Sequence, residues 1–104
     1  MKTMKAPSLT GPKKAIADAV EKLDADLRSL NRRLFDKPEL CYEERFAAAT
    51  VADYLASHGF SVTRPYAKIE TALRADRRGR RKGPTVAIIT EYDALPNIGH
   101  ACGH

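Results

Sequence analysis

A chain of 104 residues is long enough to bury a core and short enough to be one domain. Its apolar and charged fractions are those of a folded globular protein, which excludes disorder as a starting point, and no apolar run approaches the length of a membrane span. The net charge of +5 is uneven: Arg74, Arg77, Arg78, Arg80, Arg81 and Lys82 fall in one stretch without interleaved aromatic residues for base stacking, so a solvated turn is expected there, with no nucleic-acid and no membrane partner.

Residues 1–11 have little pattern and read as a loose leader; Lys2 and Lys5 are followed by no apolar stretch that would make a signal peptide. The domain is expected over 12–104. Thr10 can cap a helix whose first turn tolerates Pro12. From there Ile16, Val20, Leu23, Leu27, Leu30 and Leu34 recur at spacings of four and three, one apolar stripe suited to packing on a sheet. Pro38 disfavours helix at Lys37 and ends it. A second helix is expected over 43–58, with Ala47, Val51, Tyr54 and Leu55 on one face. Gly59 suits the left-handed position after it, and Phe60 would fold back on Leu55.

Residues 60–63 alternate like a half-exposed strand, which Pro65 ends or pushes to an edge. Residues 71–76 form a second strand candidate and 85–90 a third, with the basic stretch as a hairpin tip between them. Val86, Ala87, Ile88 and Ile89 are four consecutive apolar residues, three of them β-branched, as in a strand covered on both faces. Such a strand needs more cover than the preceding elements supply. The fold class is therefore α/β, in the order helix, helix, strand, strand, strand, and the expectation is a truncated domain whose uncovered strand invites aggregation or hydrophobic-dye binding.

Beyond that third strand, where ligands bind in α/β proteins, stand Glu91, Asp93, His100, Cys102 and His104. His100, Cys102 and His104 alternate with small residues, so three donors fall within a short segment, with Gly99 and Gly103 easing its bends. Imidazole and thiolate favour zinc, cobalt or manganese-type ions over calcium or magnesium. Glu91 and Asp93 point to opposite sides of an extended backbone. Asp93 is the expected one to face the site, as an acceptor orienting a ligating histidine. A duller alternative stays open, in which Asp93, Ala94, Leu95 and Pro96 are merely a turn and the histidines and thiol are structural. The only other cysteine, Cys41, is far from Cys102, which speaks against a disulfide scaffold and for a reducing cytoplasm.

The run from Glu91 through Asp93, Ala94, Leu95, Pro96, Ile98, Gly99, His100, Ala101, Cys102 and Gly103 to His104 resembles the signature of the metal-dependent aminoacylase/carboxypeptidase family of amidohydrolases and peptidases. It is nearest the branch of aminobenzoyl-glutamate hydrolases and aminoacyl-dipeptide hydrolases, because hippurate and indoleacetyl-amino-acid hydrolases carry a longer insert before the His-Ala-Cys-Gly-His segment. Pro38, Glu39, Leu40, Tyr42 and Glu44 are similar to another of its segments, and residues 48–60 to its second helix and Gly-Phe turn; the likeness spans about 20–104. Two departures, Phe35 where the family often has histidine and Cys41 where it has glycine, are expected to lie away from the metal loop.

The resemblance implies the N-terminal part of a three-layer zinc-peptidase-like domain, ending at the metal loop. It implies Cys102 and His104 as metal ligands, Asp93 as a supporting residue at the catalytic centre, and zinc or manganese as the ion, two per complete enzyme. His100 matches a position whose role stays open. The substrate implied is an N-acyl amino acid or small dipeptide, hydrolysed at its amide bond, and a homodimer is implied only for the full-length relative, through an inserted domain. The family's general-base glutamate and remaining ligands fall downstream of these motifs, so the chain taken alone is expected to be inactive. The alternative is a non-catalytic metal-binding or interaction fragment.

Overall fold

The computed structural model describes residues 8–103, in the order α1 (Gly11–Asp36), α2 (Arg45–Ser57), β1 (Ser61–Thr63) and β2 (Arg74–Asp76). Residues 1–7 of the expected leader, and His104, lie outside the described residues. Helix α1 begins with Pro12 in its first turn, and Thr10 stands at the cap position in extended backbone, although its side chain makes no capping hydrogen bond. Its surface carries three i,i+4 ion pairs, Lys14–Asp18 at 2.7 Å, Asp24–Arg28 at 2.8 Å and Arg32–Asp36 at 2.9 Å. Exposed pairs of this kind contribute about 0.3–0.5 kcal/mol each.

The apolar stripe of α1 does not pack on a sheet as its spacing suggested. No residue of α1 is buried, and Ile16 is 65% exposed. Among the described elements α1 touches α2 and neither strand. The reason is size: two strands of three residues offer no face broad enough for a 26-residue helix. The radius of gyration is 17.0 Å, against about 13 Å for a compact chain of this length.

Helix α2 contacts every other element. It buries Ala47, Ala48, Thr50 and Ala52, so the interior rests on close backbone approach over small side chains rather than on large ones. Its C-terminus is as the sequence suggests. Gly59 has φ +84, its N–H donates to the Ala56 carbonyl at 3.1 Å, and the Phe60 N–H donates to the Leu55 carbonyl at 3.1 Å. These are the paired bonds of a glycine-terminated helix stop.

The N-terminus of α2 was not anticipated. Glu44, at the cap position, makes no side-chain capping bond. Instead the chain turns back at residues 40–43, with the Glu43 N–H donating to Leu40 O at 2.9 Å and Tyr42 at φ +67. This brings Glu39 over the helix end, where its carboxylate accepts from the Phe46 N–H at 2.9 Å and the Ala47 N–H at 2.8 Å. A carboxylate there satisfies two otherwise orphaned donors and complements the helix dipole.

Strands β1 and β2 pair antiparallel, with Val62 opposite Ala75. β1 stops before Pro65, whose bond with Arg64 is cis. The α/β order helix, helix, strand, strand is as expected, but residues 85–90 form no strand, and Val86, Ile88 and Ile89 are 80%, 86% and 91% exposed. An apolar pattern states that a segment suits burial and does not name what covers it; β1 pairs along one edge of β2, and residues 85–90 do not join the other. The basic stretch is accordingly exposed but is no hairpin tip, because its two flanks do not pair. Arg77 donates to the His58 carbonyl at 3.1 Å and lies over the Phe60 ring. Among the described residues no helix is long and apolar enough to cross a membrane.

Candidate functional site

The polar loop that follows residue 90 is fixed by its backbone. Ala94 is buried, its N–H donates to the Glu39 carbonyl at 2.7 Å, and it pairs as a parallel bridge with Leu40. Glu39 thus caps α2 with its carboxylate and anchors the loop with its carbonyl. The chain then reverses tightly: the Leu95 N–H donates to Gly99 O at 3.0 Å, and Asn97 and Gly99 hold φ of +66 and +61, a region open to asparagine and glycine. The turn therefore lies at 95–99, just beyond Asp93.

Two aromatic contacts complete the support. The Tyr92 hydroxyl donates to the carbonyl oxygen of buried Thr71. Phe35 stacks on His100, with ring centroids 6.4 Å apart and planes at 29°. This corrects the expectation that the Phe35 departure lies away from the metal loop: the C-terminal turn of α1 brings it directly onto one of the loop's histidines. Sequence spacing could not have paired residues so far apart, and the only local signal for Glu39 or Tyr92 was membership in the motifs.

Burial raises the Tyr92 phenol above its ordinary value; the Glu44 and Glu39 carboxylates add to this, and Arg64 opposes it. The folded state therefore favours the neutral phenol, so its contribution is fully present below the ordinary phenol value and is lost as pH rises through the raised one. In urea titrations, stability is expected to fall above about pH 10, and less steeply in Tyr92→Phe. At neutral pH the variant is expected to be about 1 kcal/mol less stable, from the lost hydrogen bond. Identical alkaline slopes in the two proteins would show that Tyr92 is not responsible.

Of the expected site residues, Asp93 and His100 are half-buried while Glu91 and Cys102 are exposed. Glu91, Asp93 and Cys102 each have interactions within the chain. Among the described residues no three histidine, cysteine, aspartate or glutamate side chains gather closely enough to share an ion. Of the expected ligand pair, Cys102 is described and His104 lies outside the described residues. The donor types suit zinc, but the described residues alone do not assemble a metal centre. An open groove of about 430 Å³ lies elsewhere, between α1 and α2, and is lined by Asp26, Arg33, Asp53, Tyr54 and His58 among others. No residue of the loop lines it.

No family model matches the chain. It is 33% identical over 110 residues to Xaa-Arg dipeptidase of Mus musculus, covering 98% of this chain and 26% of that protein. It is 32% identical over 108 residues to thermostable carboxypeptidase 2 of Saccharolobus solfataricus, covering 84% and 27%. To a p-aminobenzoyl-glutamate hydrolase subunit of Escherichia coli it is 33% identical over 106 residues, covering 86% and 22%. The chain belongs to this amidohydrolase/peptidase family. It spans about a quarter of the length of the curated relatives it matches. For a member of the family, the described residues supply the helical pair, a small sheet and the anchored loop.

Proposed function

We propose that these residues act as part of a metal-dependent hydrolase that cleaves the amide bond of N-acyl amino acids or small dipeptides, in the cytoplasm. The observation that carries this reading is similarity to a dipeptidase that runs through 98% of the chain, loop included. Names of the relatives point the same way: a dipeptidase, a carboxypeptidase and an aminobenzoyl-glutamate hydrolase all act on amide bonds beside an amino acid.

In this reading Cys102 and His104 hold a zinc or manganese ion, one of two in a full-length enzyme, and Asp93 orients a ligating group. The chemistry such ions supply is polarisation of an amide carbonyl and activation of water at neutral pH. The chain's own part is positional. Asp93 directly precedes Ala94, the residue locked to Glu39, so its carboxylate springs from fixed backbone. Exposed Cys102 lies three residues beyond the turn at Gly99 and is accessible to an incoming ion.

Zinc titration by calorimetry tests the ligand assignment. The wild-type chain is expected to bind zinc weakly, with release of protons as thiol and imidazole are engaged, and Cys102→Ser to bind at least about tenfold more weakly. Equal affinity and equal proton release in the two proteins would remove Cys102 from the site.

A further inference from the structure

The last turn of α1 and the segment behind it meet the polar loop at three places. The Ala94 N–H donates to the Glu39 carbonyl at 2.7 Å. Gly99 lies against Pro38, whose Cβ and Cγ would stand 3.9 Å from a side-chain carbon added at the glycine. Phe35 stacks on His100, with ring centroids 6.4 Å apart. The first two contacts hold loop backbone, whereas the third holds a loop side chain.

The Phe35 ring is itself held by the helix. The Arg32 guanidinium carbon lies 5.6 Å from its centroid, within cation–π reach, and Arg32 is tied one turn on to Asp36 at 2.9 Å. The helix therefore offers the loop a ring whose place is set by α1. His100 follows directly on the closed turn at 95–99 and stands two residues before Cys102. Fixing its ring restricts the His100 rotamer and the direction in which the chain leaves Gly99 towards Cys102. A site whose donors are in place before the ion arrives loses less binding free energy to ordering them. Were Phe35 only apolar filler, a leucine of similar bulk would serve equally well.

We propose that Phe35 is a positioning residue for the ion-binding loop: by stacking on His100 it places the segment that carries Cys102 before an ion arrives. The proposal rests on the reading of Cys102 as a ligand given above. It assigns His100 no bond to the ion; the histidine acts as the grip by which α1 holds the loop.

Phe35→Leu removes the ring at an exposed position and keeps a good helix former, so circular dichroism should show the fold intact. In calorimetric titration with zinc, Phe35→Leu is expected to bind about tenfold more weakly than the wild-type chain. Phe35→Tyr, which keeps the ring, should stay within about twofold. In a His100→Ala background Phe35→Leu should make no further difference, because the effect passes through that histidine. A readout free of metal accompanies these: nuclear magnetic resonance of the metal-free chain should show the His100 ring protons shifted in Phe35→Leu, and lower order parameters for the amides of residues 100–102. Zinc affinity unchanged in Phe35→Leu while Cys102→Ser loses it would overturn the proposal. So would an equal loss in the His100→Ala background, or Phe35→Tyr binding as weakly as Phe35→Leu. If Cys102→Ser binds zinc as the wild type does, the ligand reading fails separately, and unchanged ring shifts and order parameters in metal-free Phe35→Leu would then overturn the placement by Phe35 as well.

Discussion

The 104-residue chain, supplied with zinc or manganese, is expected to turn over no N-acyl amino acid, dipeptide or aminobenzoyl-glutamate. Amide hydrolysis requires water to be activated and the leaving amine to be protonated, and acid–base assistance alone contributes about 10²–10⁴ in rate. A catalytic zinc site also requires about three protein donors around the ion with one position left for water. Among the described residues no three such donors converge. Glu91 is exposed, and Asp93, next to the anchored Ala94, is assigned to orientation rather than proton transfer. A polypeptide carrying these residues together with the rest of the family's length is expected to hydrolyse at least one of those substrates. Multiple turnovers by the short chain, abolished in Cys102→Ser, would show that the base lies within these residues after all.

Glu39→Ala is expected to cost about 2 kcal/mol, because it leaves two partly buried helix N–H groups without their charged acceptor. Glu39→Gln keeps one acceptor oxygen and loses the charge, so about half that loss is expected. Urea unfolding, with unchanged dependence on denaturant, measures both. Glu43→Ala, an exposed neighbour in the same turn, serves as the comparison and should stay within about 0.5 kcal/mol. Similar losses for Glu39→Ala and Glu43→Ala would mean that the capping bonds contribute nothing beyond solvation.

What could be read from the sequence was local. Pro12 and Pro38 bracket α1, and Gly59 followed by Phe60 marks the end of α2, because those signals act through dihedral limits and bonds a few residues apart. Strand identity was harder. Residues 74–76 pair with 61–63 rather than with 85–90, and the alternation within a strand says nothing about its partner. The exposure of Ile16 and Val20 has the same origin, since a 3.6-residue period identifies a face without naming the surface it meets. At the loop, the residue types that hold an ion were visible as a motif, whereas the supports were not. Glu39 reaches seven and eight residues forward to α2 and then across to Ala94, and Phe35 reaches His100 across still more of the chain.

The double engagement of Glu39 also bears on how the fold comes apart. Its side chain closes the first turn of α2 and its carbonyl closes the loop at Ala94, so one residue's backbone dihedrals govern both. Opening either contact by rotation about Glu39 strains the other, which makes the helix start and the loop a single cooperative unit. The amides of Phe46, Ala47 and Ala94 should then exchange with solvent deuterium in a common event, at one opening free energy, even though almost fifty residues separate them along the chain.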